Sequence, residues 1–135
     1  MTANRQDRTL LSIIELGGYP NFDALYRRLG YRHATINTGR KAISLLKKDQ
    51  PDVVVTEFHY QFSFRDRTSS LESILAVAQG NGTTRVIVFY DPEYADQLEK
   101  VRQRFPGFEA MPYPIDTVMV EECLRRLTSG DMQES

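Results

Sequence analysis

The residues with chemical potential in this chain are few. Glu57 closes the run PDVVVTEFHY at 51–60, and Glu15 sits near the end of an earlier apolar run, TLLSIIEL at 9–16. The two histidines are His33 and His59, and the single cysteine is Cys123. Two carboxylates at the ends of neighbouring strands would suit a shared divalent ion, but they make a thin oxygen-ligand set for Mg²⁺, which wants near-octahedral coordination. The competing expectation is a pair of solvated carboxylates, hydrogen-bonded to Tyr90 or Tyr113. No metal site is predicted. His59 has no nucleophile nearby in sequence and reads as a loop histidine. Cys123 falls on an apolar helical stripe, where a thiol is expected to be buried and inert.

These residues must be positioned by a frame, and the frame is legible. Val53, Val54 and Val55 have no polar residue alternating with them, the mark of a strand covered on both faces. Arg85–Tyr90 (RVIVFY) is a second such strand. Thr9–Leu16, His33–Asn37 and Phe108–Met111 supply three more. Between them run helical spacings. Phe22, Leu25, Tyr26 and Leu29 share one face. Ala42, Leu45 and Leu46 follow a Thr38 cap. Leu71, Ile74, Leu75 and Ala78 follow a Ser69/Glu72 capping box, and Gly80-Asn81-Gly82 is expected to turn the chain. Asp91-Pro92 opens the helix carrying Tyr94, Leu98, Val101 and Phe105. Asp116 or Thr117 caps the last, with Val120, Cys123, Leu124 and Leu127 inward. Gln61–Thr68 reads as a loop. The alternation is (βα)5, which predicts an α/β fold: a three-layer α/β/α sandwich on a parallel five-stranded sheet. Its domain is expected over 9–127, with flexible tails at 1–8 and 128–135.

Composition excludes several classes. The chain has 135 residues, one domain's worth, with net charge −1 and 41% hydrophobic residues. That balance gives no bias toward nucleic acid, and no apolar run is long enough to span a bilayer. A polar N-terminus and a single cysteine suggest a cytoplasmic protein without disulfides.

The segment Leu29–Glu57, LGYRHATINTGRKAISLLKKDQPDVVVTE, resembles a response-regulator receiver domain: a Gly-Tyr pair, a short strand, a helix with Ala and Leu-Leu, then P-D-x-V-x-x-acid. FEAMPYPID resembles that family's last strand and K-P-F turn. The resemblance runs from about Leu10 to Leu127 and implies a flavodoxin-like fold of strand order 2-1-3-4-5. It also implies a site that this sequence departs from. Glu57 falls on the phosphoacceptor aspartate, Tyr90 on the Thr/Ser position, Tyr113 on the lysine before Pro114, and Glu15 is the one acid left at the end of the first strand. A carboxylate longer by a methylene shifts the attacking oxygen by roughly an angstrom, at the scale that decides in-line transfer. The lysine cation and small hydroxyl are also missing. The expected function is therefore that of a degenerate receiver-like (pseudo-receiver) signalling module in a two-component setting, acting by phosphorylation-independent protein–protein interaction. It is expected not to be an enzyme and to need no cofactor. Alternatives are a flavodoxin-like small-ligand binder or enzyme, or an atypical phosphorylatable regulator. Glu57 imitating a phosphorylated aspartate is a further variant.

Phe58, Tyr60, Phe62 and Phe64 alternate with polar residues, beside Arg65 and Arg67. Aromatics and arginines are enriched at interfaces, so these six are the partner-binding candidates. The other reading is an extended chain burying one row of rings against the body. A homodimer is the second expected partner, through outward residues of the fourth helix such as Asp96, Lys100, Arg102 and Gln103. No membrane or nucleic-acid partner is expected.

Overall fold

In the computed structural model, the described residues are 8–14, 21–58 and 70–133, with backbone alone at 70 and 128–133. The strands are β1 (Arg8–Ile13), β2 (Tyr31–Ile36), β3 (Val53–Phe58), β4 (Arg85–Tyr90) and β5 (Glu109–Pro112). The helices are α1 (Asp23–Arg28), α2 (Gly39–Asp49), α3 (Ser70–Asn81), α4 (Ala95–Arg104) and α5 (Thr117–Gln133). All four strand pairings are parallel, in the order β2-β1-β3-β4-β5. This is the α/β architecture and strand order that the alternation of apolar runs and helical stripes implies.

Side chains alternate across a strand, and each face of the sheet builds its own core. Leu11, Val54, Phe58, Val86 and Val88 pack with Ala42 and Leu46 of α2, Leu71, Ile74 and Leu75 of α3, and Leu98 of α4. Leu10, Val53, Val55, Ile87 and Phe89 pack on the opposite face with Leu25 and Tyr26 of α1 and Val120, Cys123 and Leu124 of α5. Val54, Ile87 and Val88 are fully enclosed, as strands with no polar alternation require.

The connections follow from local chemistry. Thr38 caps α2, its hydroxyl accepting from the Lys41 amide at 3.2 Å. Asp91 caps the 3-10 turn Pro92–Tyr94 that leads into α4. Asp116 is the cap of α5, accepting from the Met119 amide. Gly107 closes the exit from α4 with φ +105°, a conformation that suits glycine.

Three expectations are corrected. Phe58 belongs to β3 and is 4% exposed. The strand stays paired with β4 through Phe58↔Tyr90, which commits that ring to the α2/α3 core instead of a partner surface. The chain also remains helical through Gln133, where a tail was expected from 128. Extending a helix already nucleated and packed costs little per residue. Gly80 and Asn81 lie within α3 rather than in a turn. The Asn81 side chain ties the helix end to the Leu46 carbonyl and the Thr84 hydroxyl.

Candidate functional site

Glu57 is the next-to-last residue of β3 and faces the α1/α5 side, in line with Val53 and Val55. It is 8% exposed, buried for a carboxylate. It lines a chamber of about 10 Å³ together with Ser12, Asn21, Tyr26, Val55 and Phe89. That is space for about one water. Phe89, its register partner on β4, walls one side.

The other positions singled out in the sequence do not line this chamber. Tyr90 alternates to the opposite face and packs against the α2/α3 core. Tyr113 follows β5 and is 49% exposed. Its amide donates to the Tyr90 carbonyl at 2.8 Å, and the Tyr113–Pro114 peptide is cis. Glu15, His59, Tyr60, Phe62, Phe64, Arg65 and Arg67 lie outside the described residues, as does the Ser69 half of the capping box. On α4, Asp96, Lys100 and Gln103 are exposed. Arg102 is instead held inward: it stacks over the Phe108 ring at 4.4 Å and donates to the Phe108 carbonyl.

The chamber's other wall belongs to a polar chain that the sequence reading missed. His33 on β2 bridges two elements, its Nε2 lying 2.7 Å from Ser12 Oγ on β1 and its Nδ1 2.6 Å from Asp23 Oδ1 on α1. The imidazole side chain is 1% exposed and meets the Tyr26 ring edge-on at 4.8 Å. Hydrogen bonding to His33, and then to Arg27, holds the Asp23 carboxyl below its ordinary value. An ionised Asp23 only accepts, so Nδ1 donates to it, and in the neutral ring Nε2 accepts from Ser12. Burial pushes the Tyr26 phenol up, against a smaller lowering from its hydrogen bond to Ser12.

The order Ser–His–Asp reproduces the hydrogen-bond sequence of a hydrolase triad. Here, however, Ser12 lies inside a central strand, 3% exposed, beneath Tyr26. A substrate carbonyl has no approach to its hydroxyl. The chain's role is structural: it satisfies buried polar groups and pins α1 to the sheet edge.

Divalent-metal binding does not fit the described residues. Mg²⁺ keeps several waters and takes more than one oxygen ligand. The chamber offers one carboxylate and room for about one water. Among the described residues no group of three or more acids, histidines or cysteines converges. Cys123 is buried, its thiol pushed up to about 11 by burial and by Glu109. No helix of the described residues is long and apolar enough to cross a membrane.

No protein-family model matches the sequence, and no curated protein matches it. Solved structures do. A response-regulator receiver domain from Clostridium thermocellum superposes with TM-score 0.74 at 15% identity, covering 95% of this chain and 99% of that one. A response regulator from Burkholderia multivorans gives 0.68 at 22%, covering 90% and 94%. The receiver domain of a sensor histidine kinase from Pseudomonas aeruginosa, solved with magnesium coordinated in its active-site cleft, gives 0.64 at 15%, covering 89% and 96%. The chain has the receiver fold.

Proposed function

We propose that this chain is a degenerate receiver-like signalling module that works by binding another protein, without phosphorylation. The carrying observation is the enclosure of Glu57. A phosphoryl group brings three acceptor oxygens and up to about two negative charges, and the space beside this carboxylate is about 10 Å³. Phe89 and Tyr26 close it with rings, and the cation and small hydroxyl expected of a phosphorylated receiver are replaced by Tyr113 and Tyr90.

The candidates for the partner surface are Tyr60, Phe62, Phe64, Arg65 and Arg67, on the strength of their residue types and spacing. The exposed residues Asp96, Lys100 and Gln103 of α4 are the candidates for pairing with a second copy. A reducing cytoplasm suits the free thiol of Cys123.

The test is intact-mass spectrometry after incubation with acetyl phosphate and Mg²⁺. No adduct is expected, and Glu57→Asp alone should not produce one, because the lysine and hydroxyl remain absent. Stoichiometric phosphorylation of the unmodified chain at Glu57 would overturn the proposal. For the surface, replacing Tyr60, Phe62 and Phe64 together with serine should abolish partner capture or self-association at nearly unchanged melting temperature.

A further inference from the structure

Ser12, Tyr26 and Glu57 line the same chamber of about 10 Å³, so the His33 chain and the buried carboxylate meet at one wall. The hydrogens of that chain can be assigned link by link. Asp23 Oδ1 lies 2.6 Å from His33 Nδ1, and an ionised carboxylate only accepts, so Nδ1 carries a hydrogen. Nε2 of the neutral ring is then an acceptor, and Ser12 Oγ, 2.7 Å away, donates to it. That uses the one hydrogen of Ser12. Its bond with the Tyr26 phenol is therefore donated by Tyr26. In this state the donors run from Tyr26 through Ser12 and His33 to Asp23, and both hydroxyl hydrogens are taken up within the chain.

A second proton on the ring reverses half of it. An imidazolium has no acceptor. Nδ1 still donates to Asp23, but Nε2 now donates to Ser12 Oγ. Ser12 keeps its own hydrogen and must turn it elsewhere: to Tyr26, whose O–H is then released, or straight into the chamber. Either way the freed hydroxyl belongs to a residue that lines the chamber beside Glu57. The space holds about one water, which can carry the bond onward, and a carboxylate accepts such a bond more strongly than a neutral group does.

The groups around the ring can balance its charge. The imidazole is 1% exposed. From α1 it meets the Asp23 carboxylate, which Arg27 also pairs with at 2.9 Å, and the edge of the Tyr26 ring. Arg27 donates to the His33 carbonyl at 3.4 Å. From β1 it meets the neutral Ser12. Tyr31 shares its face of β2, and Arg32 alternates to the other. Arg28 of α1 pairs with Glu121 of α5 at 3.3 Å. Asp49 and Asp52 border the groove between β2 and α2.

We propose that the Ser12–His33–Asp23 chain is a proton-operated switch: protonation of His33 reverses the Ser12 hydrogen bond and delivers a hydroxyl donor to the Glu57 chamber. The switch goes beyond the chain's structural role and stands independently of the reading as a binding module. The coupling is reciprocal. A charged ring favours the ionised Glu57, and an ionised Glu57 favours the charged ring. Falling pH therefore turns the donor toward Glu57, and rising pH withdraws it.

The experiment is NMR on the full chain, with ¹⁵N in its histidines and ¹³C in its glutamate carboxyls. It is titrated from about pH 8 to pH 5, where imidazole side chains change charge, and His33 is assigned against the His59→Gln chain. The neutral His33 ring is expected to carry its hydrogen on Nδ1. On acidification it should become imidazolium while the chain stays folded, and the Glu57 carboxyl signal should step at the His33 midpoint. Glu57→Gln should lower that midpoint by about 0.5 pH or more, since the ring loses the anion that favours its charged form. Ser12→Ala should leave His33 titrating but remove the His33 step from the Glu57 signal; if that variant does not fold, Glu57→Gln decides. Five results overturn the switch: a neutral ring with its hydrogen on Nε2, a Glu57 signal indifferent to His33, an unchanged His33 midpoint in Glu57→Gln, the step persisting in folded Ser12→Ala, or unfolding as the ring charges. None of these bears on the mass-spectrometric test at Glu57, so the two readings fail independently.

Discussion

Two polar features share the α1/α5 face of the sheet, and they differ in how they are built. Glu57 comes from one strand and is enclosed mainly by rings and aliphatic groups, with Ser12 and Asn21 as polar neighbours in a chamber of about 10 Å³. The Ser12–His33–Asp23 chain draws one residue from each of three elements and ends on an exposed ion pair, Asp23–Arg27 at 2.9 Å. The first has the position of a reactive site in a chamber with space for about one water. The second has the partners of a reactive site without an approach. One is defined by its place at the strand end, the other by the contacts that join three elements.

The frame common to both should show the largest effect. Ile87 is fully buried between Val55 and the α5 core. Ile87→Ala is expected to cost about 2–4 kcal/mol in urea unfolding. A change within error would mean that β4 is not central.

Next comes the comparison itself. His33→Ala should cost about 2–3 kcal/mol, since it removes the acceptor of the buried Ser12 O–H, leaving that hydroxyl only its bond to Tyr26, and removes an imidazole packed on Tyr26. Glu57→Gln, which keeps shape and hydrogen-bonding capacity at the sheet edge, should cost about 1 kcal/mol or less. Reversal of that order, measured by the same unfolding curves, would make Glu57 the structural centre and the His33 chain the dispensable one.

The contrast also marks what was legible in the sequence. Continuous apolar runs located β3 and β4, and β4 runs from Arg85 to Tyr90 as expected. Caps at Thr38, Asp91 and Asp116 were readable because each lies beside the amides it serves. Glu57 was readable because a carboxylate ending an apolar run is a local signal. The His33 chain was not, because its members are separated by 10 and 21 residues and meet only through register. His33 faces Leu10 across the β1/β2 pair, which puts Ser12 on the diagonal. One clue was present: Ser12 is a polar residue set between Leu11 and Ile13, and such a residue needs a partner when buried. Phe58 was misplaced for the same reason, since its burial depends on how far β3 stays paired with β4.

The smallest expected effect separates the buried and exposed halves of the His33 chain. Asp23 is held below its ordinary value by its hydrogen bond from His33 and by Arg27. A group with a depressed folded-state value stabilises the fold above its unfolded value, and that contribution disappears as pH falls through the folded value. For Asp23 the loss therefore belongs below about pH 4. Asp23→Asn should lower the urea midpoint modestly near neutral pH, and the gap to the parent chain should close as pH drops below about 4. Glu121, lowered by Arg125 and Arg28, contributes an acid limb of the same sign and remains in the variant, so the variant's own curve still falls. The carboxylate is solvent-exposed and screened, so the gap should shrink further in high salt, whereas the cost of His33→Ala should not. A gap independent of both pH and salt would show that Asp23 acts through packing of α1 and not through its charge.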